Sequence, residues 1–322
     1  MKLQSLQRLI GVVMLSLVGT VGAQNYPTMP VKIYVPIPPG GAPDIAARVI
    51  SQQLSEVLKQ PIVVENKPGA NGMIAGDAVA KSAPDGHTLL LTMDSTIVVN
   101  PHLFKKQPYN PQTDLIPIAS IASNQFVLAI NPALPVKSFD EFIEYAKKAK
   151  PPLYYASGGN GSQHHLTMEL LKQRAGITLL HVPYKGGAAA TVATVSGETS
   201  VMFAGSSNAG QIKSGKLRAI AVTSKSRTVD YPGVPAIAES YPGFESRIWL
   251  GLFAPSGTPS QTIERLRSEL VKILKRPDVK ERFNTAGGMD PFITTPEEFD
   301  DLMKNELEKY GRIVKYAHIK LD

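Results

Sequence analysis

Short apolar runs rich in β-branched residues alternate along this chain with longer stretches whose apolar positions recur at helical spacing. The first unit reads as a strand over 31–36, a loop over 37–43, and a helix running to about residue 59. Ile45, Val49, Leu54, Val57 and Leu58 give that helix one face to lay on a sheet. The run Ile62-Val63-Val64 predicts a strand over 61–65, residues 75–82 a helix ending before the Asp85-Gly86 turn, and Leu89-Leu90-Leu91 a buried strand over 88–92. The second half repeats the rhythm, with strands over 125–130, 153–156, 178–182, 200–203 and 218–223 and helices over 139–149 and 163–175. Two amphipathic helices follow, over about 259–275 and 296–317. Capping-box spacing marks three helix starts, at Ser138 with Glu141, Thr258 with Gln261, and Thr295 with Glu298, the last two with Pro at the first helical position. Strand and helix in alternation predict an α/β fold with mostly parallel sheet. With no internal repeat and no low-complexity linker, any lobes are expected to be discontinuous in sequence.

The N-terminus has a different pattern. Lys2 and Arg8 precede an apolar run over 9–18, and Val21-Gly22-Ala23 supplies small residues before Gln24. This is the pattern of a cleavable signal peptide over 1–23, and the run is short of the roughly 20 residues a spanning helix needs. Export to the periplasm is the expectation. The chain has no cysteine, which excludes disulfides, thiolate zinc sites, a Cys nucleophile and a lipid carried on an N-terminal Cys. Net charge is +7 from 34 basic and 27 acidic residues. The excess is scattered and aromatics are few, so nucleic acid is not the expected partner; a mild positive field suits small anions.

Three Gly-rich loops each stand between a strand end and a helix start: 38–44, 157–162 and 184–187. In open α/β sheets ligands gather at such junctions, where helix N-termini offer free amides and partial positive charge. Glycine lets a carboxylate approach the backbone, and Ser157, Asn160 and Ser162 add side-chain donors. Asp44 beside an anion site reads as an organiser of its loop. Enzyme signatures fail: Gly205-Ser206-Ser207-Asn208-Ala209-Gly210 lacks nucleophile-elbow spacing, and no phosphate-loop or dinucleotide fingerprint is present. His165 and Glu169 share a helix face at metal-ligand spacing, but no third ligand is visible, and no metal or other cofactor is expected. For Trp249, the one tryptophan, core and cleft are both open.

From about residue 26 to 322 the chain resembles the Bug-type extracytoplasmic receptors of tripartite tricarboxylate transporters. The resemblance rests on ordered segments, among them Pro38-Pro39-Gly40-Gly41-Ala42-Pro43-Asp44, Glu65-Asn66-Lys67-Pro68-Gly69-Ala70-Asn71-Gly72, Tyr155-Ala156-Ser157-Gly158-Gly159-Asn160-Gly161-Ser162, His181-Val182-Pro183-Tyr184-Lys185-Gly186-Gly187 and Gly251-Leu252-Phe253-Ala254-Pro255. It implies a type II periplasmic-binding-protein fold: two α/β lobes joined by two crossover strands, with the ligand cleft between them. Lobe 1 would comprise 24–125 and 248–322, and lobe 2 residues 126–247. It further implies a binding protein rather than an enzyme, a monomer, that hands a small carboxylate to membrane permease subunits. The resemblance implies that loops 37–44 and 157–162 grip the carboxylate, and the expected ligand contacts are Pro38, Gly40, Gly41, Asp44, Ser95, Thr96, Ser157, Asn160, Gly161, Ser162, His165, Tyr184, Phe203, Ser206, Ser207 and Trp249. Ala204 stands where Bug-type chains often carry Asp, and the neutral cluster after it leaves room for a second carboxylate, so a dicarboxylate is expected, terephthalate being an aromatic example. A periplasmic sensor and, more remotely, an exported hydrolase are the alternatives.

Overall fold

The computed structural model describes residues 26–205 and 208–319. The signal-peptide segment and two of the expected contacts, Ser206 and Ser207, lie outside the described residues. Among the described residues no helix is long and apolar enough to cross a membrane.

The chain builds two sheets. In order, the elements of the first half are β1 (Val31–Val35), α1 (Ala42–Leu58), β2 (Ile62–Asn66), α2 (Met73–Ala80), β3 (Thr88–Met93) and β4 (Leu115–Gln125). The middle supplies β5 (Val127–Ile130), α3 (Phe139–Lys148), β6 (Leu153–Ser157), α4 (Gln163–Ala175), β7 (Leu179–Pro183), α5 (Gly187–Ser196), β8 (Val201–Ala204) and β9 (Arg218–Val222). The chain then returns through β10 (Arg247–Pro255), α6 (Ser260–Leu274), β11 (Asp290–Pro291) and α7 (Pro296–Tyr316). One sheet has the order β11-β4-β10-β3-β1-β2, the other β7-β6-β8-β5-β9.

These sheets are mixed, which corrects the expectation of mostly parallel pairing. β1 runs parallel to β2 and β3, and β6 parallel to β7 and β8. The crossing strands run the other way: β10 is antiparallel to β3 and β4, and β5 to β8 and β9. A strand that arrives from the other sheet enters from the opposite end, so its direction is set by the crossing and not by a βαβ unit. The two crossings lie side by side, Arg247 opposite Gln125 and Ile248 opposite Asn124. Thr223 ties them: its hydroxyl accepts from Phe126 N at 2.9 Å and donates to the Ser246 carbonyl at 2.6 Å.

Helices cover both faces of each sheet, as the two-period pattern requires. In lobe 1, α1 and α6 bury Val49, Ile50, Leu54, Leu266 and Leu270 against β1, β3 and β10. In lobe 2, α3 and α4 bury Phe139, Phe142, Met168 and Leu171 against β5, β6 and β8. Each such aliphatic or aromatic side chain contributes about 1.5–3 kcal/mol by leaving water. α4 serves both lobes, because Leu166 is buried with Trp249, Phe299 and Tyr310 of lobe 1. Of the three helix starts marked in the sequence, Ser138 and Thr295 accept from the backbone of Glu141 and Glu298 as expected. Thr258 does not cap α6. Pro259 takes the N-cap position in an extended conformation, and the Thr258 hydroxyl donates to the Pro255 carbonyl instead.

Candidate functional site

In lobe 1 the site begins where β1 ends. Pro38 and Gly40 are exposed and Gly41 half-buried, in a loop held from within by Asp44. One Asp44 carboxylate oxygen accepts from Gly40 N at 2.9 Å and Arg48 Nε at 3.0 Å; the other accepts from Arg48 at 2.9 Å and Asn66 Nδ2 at 2.8 Å. Burial works against the Asp44 charge, but the donors of Arg48, Gly40 and Asn66 outweigh it and hold the carboxyl below its ordinary range. Asp44 is 2% exposed, so its role in this arrangement is to shape the loop. Gly41 is the N-cap of α1 and no side chain caps that helix, which leaves the Ala42 and Asp44 amides, Pro43 having none, without a side-chain partner and open to a guest.

The end of β3 forms the second wall. Ser95 is half-buried; Thr96 is buried, facing Gly72 and the Asn71 carbonyl. Just before them, wholly buried Asp94 accepts from Ser95 N at 2.7 Å and, across the lobes, from Gln163 Nε2 at 2.6 Å. That last bond sets the N-terminus of α4 against the carboxyl end of β3, so strand-to-helix junctions of the two lobes meet there. Burial, with Glu306 adding its charge, pushes the Asp94 carboxyl well above its ordinary value.

In lobe 2 the loop 157–162 turns on Gly159 and Gly161, at φ 125° and 72°. Its hydroxyls are already engaged. Buried Ser157 bonds Gly159 and, at 2.6 Å, His181 Nε2, and the Ser162 hydroxyl caps α4 by accepting from His165 N. Asn160 is exposed and Gly161 N donates to His165 Nδ1. His165 is buried: its ring stacks on His181 at 3.8 Å, over the buried pair of Tyr155 and Glu169. Burial, reinforced by His181 and Lys172, lowers its pKa to about 3, and burial lowers that of His181 to about 4. Both rings are therefore neutral at ordinary pH, beside a cavity of about 330 Å³ that Asn160, Glu169, Lys172 and residues 317–319 also line. Among the described residues no group of three or more His, Cys, Asp or Glu could hold a metal ion.

The third junction is tied to the second by backbone, Tyr184 N to Ser157 O at 3.0 Å and Gly186 N to Gly158 O at 3.2 Å. Gly186 caps α5 at φ 98° with no side chain, so this helix too has open amides. Tyr184 is half-buried, its hydroxyl pushed up to about 12 by burial and by Glu198. Two expected contacts are core residues instead. Phe203 is wholly buried 6.2 Å from Phe126, and Trp249 is wholly buried with its indole N–H donated to Glu306 at 2.6 Å. Large apolar side chains at inward positions of sheet strands, here β8 and β10, are claimed by the core. His164, not named among the contacts from sequence, lies at the junction of loops 157–162 and 184–187 with its ring 4.9 Å from that of Phe126. The sequence places it, with His165, near the cleft or as a cap of the helix after the Gly-Ser loop.

The comparisons agree with this architecture. The family model described as Tripartite tricarboxylate transporter family receptor matches residues 46–319. Protein BugT of Bordetella pertussis is 37% identical over 307 residues, covering 94% of this chain and 93% of that protein. The solved structure of the periplasmic binding protein BugD is 32% identical with a TM-score of 0.74, over 92% of this chain and 100% of that one. Rpa4515 of R. palustris, solved with adipate, is 30% identical with a TM-score of 0.78, over the same shares. These proteins align nearly end to end with this one, and the chain belongs to the tripartite tricarboxylate transporter receptor family as a Bug-type receptor.

Proposed function

We propose that the chain is exported by its N-terminal segment and works in the periplasm as a monomeric receptor that captures a small dicarboxylate and delivers it to membrane permease subunits. Residues 24–125 with 248–322, and residues 126–247, act as the two lobes and close on the ligand. The observation that carries this reading is the pair of helix starts without a side-chain cap, α1 after Gly41 and α5 after Gly186, each following the carboxyl end of a strand, with the Asp94–Gln163 bond joining the end of β3 to the start of α4 across the lobes. Aligned amides favour negative charge without needing a basic side chain. A ligand touching both lobes at once makes contacts only the closed form offers, and that difference drives closure.

Two carboxylates suit a crevice with anion-attracting ends on both walls, and adipate in Rpa4515 is a dicarboxylate. Terephthalate separates its carboxyls by the same number of carbons along the shortest path, with a flat body in place of a flexible one. The test is a thermal-shift screen of the mature protein against mono-, di- and tricarboxylates, in which a ligand at 100 times its Kd adds about 2.7 kcal/mol. Dicarboxylates should raise the melting temperature most. Stabilisation by neutral or cationic solutes alone would overturn the reading.

A further inference from the structure

The hydroxyls expected to hold the ligand in lobe 2 are committed to the protein, Ser157 to Gly159 and His181 and Ser162 to the cap of α4. The unspent polar groups lie one step further along. His164 is half-buried, and among the described residues none hydrogen-bonds its ring. The ring edge carrying both nitrogens is turned to two glycines. A Cβ placed on Gly158 would lie 3.4 Å from Nδ1 but also 3.3 Å from Gly187 N and 3.5 Å from Gly186 C, whereas one on Gly187 would lie 3.7 Å from Nε2 and Cε1 with no other neighbouring side chain among the described residues within 4 Å. At Gly186 no atom of the described residues beyond its chain neighbours stands within that distance. Among the described residues the Gly186–Gly187 backbone thus closes the Nδ1 side, and room lies beside Nε2, at the uncapped start of the ten-residue helix α5.

We infer that His164 is a ligand-contacting, specificity-determining residue, its imidazole N–H and the first amides of α5 together holding one carboxylate of the ligand in lobe 2. The inference rests on the carboxylate-receptor reading above and names the group that does the selecting. Burial lowers the imidazole pKa to about 4, so the ring is neutral at ordinary pH and recognises by hydrogen bond, with charge compensation left to the helix. A neutral imidazole donates from one nitrogen and accepts at the other. The same ring thus accepts from a hydroxyl or a protonated carboxyl where a lysine or arginine could not. The ring also presents a flat apolar face, which favours a ligand with a planar or methylene body next to its carboxylate.

Two substitutions separate this role from a structural one. His164→Ala removes the hydrogen bond. Gly187→Ala leaves His164 in place and adds one methyl group where the carboxylate would sit; the 3.7 Å contact is ordinary and the position needs no left-handed backbone, so folding is unharmed. Isothermal titration of the unsubstituted protein and both variants with succinate, adipate, benzoate and terephthalate is the experiment. For whichever of these the unsubstituted protein binds, both variants should bind roughly ten- to a hundredfold more weakly, the range for a lost hydrogen bond to a charged group. Gly187→Ala should melt at or above the unsubstituted temperature without ligand. Affinities within twofold in both variants would overturn this inference alone. If the unsubstituted protein binds none of the four, the receptor reading falls, and this inference with it.

Discussion

Asp44→Asn keeps the shape of the side chain that shapes the first loop and removes its charge. The magnitude follows from the four bonds. Each carboxylate oxygen accepts twice, one from Gly40 N and Arg48 Nε, the other from Arg48 and Asn66. Whichever way the amide turns, one acceptor position becomes an NH2 that faces donors, so two charge-assisted bonds are lost. Such bonds are worth about 1.5–3 kcal/mol each, but the Arg48 side chain is half exposed and its share is discounted. The expected loss is about 2–4 kcal/mol, or a melting temperature lower by about 4–10 °C. The effect has a pH signature. A carboxyl whose folded pKa lies below its unfolded value of about 3.9 stabilises above that value and stops doing so as pH falls through the folded pKa. The gap between the two proteins should therefore be full at pH 7 and shrink below about pH 4. Thermal melts by circular dichroism across that range are the assay. A variant melting within a degree of the unsubstituted protein at pH 7 would refute the organising role of Asp44.

Two further outcomes follow from the buried polar groups. His165 and His181 have folded pKa values near 3 and 4, below the ordinary 6.5, so their contribution is intact above pH 6.5 and is lost as pH falls towards 4. His165→Asn, whose amide oxygen can accept from Gly161 N in place of Nδ1, should flatten the acid limb of stability in urea titrations at pH 7, 6, 5 and 4. Trp249→Phe removes the 2.6 Å bond to Glu306, a carboxylate 4% exposed, and should cost about 2–3 kcal/mol of stability while leaving carboxylate affinity unchanged by calorimetry. A fall in affinity with stability intact would return Trp249 to the cleft.

Much of the architecture could be read from periodicity, because β1, β3 and α1 carry apolar residues on faces that a sheet layer must bury. β4 escaped because Leu115–Gln125 mixes Pro117, Ser120 and Ser123 into its run, positions a crossing strand tolerates but alternation does not flag. α5 escaped because Gly187–Ser196 is built of Gly, Ala, Thr and Val with no charge to mark an outer face. At the site, the loops were legible as Gly-rich junctions while the aim of single side chains was not. His164 and His165 are adjacent on one helix and so differ by about 100° in direction; only the packed neighbours, Phe126 for one and His181 for the other, decide where each ring lies. The same holds for Phe203 and Trp249, whose burial is fixed by strands distant in sequence.

The adjacency of the two crossings, Arg247 beside Gln125 and both held at Thr223, limits the form that the proposed opening and closing can take. A single anchor would let the halves twist in any sense. Neighbouring anchors define a line and leave one rotation about it, so opening is a swing. In a swing, displacement grows with distance from the pivot line: Phe126 and Ser246 stay nearly still while the parts of each half furthest from them travel most.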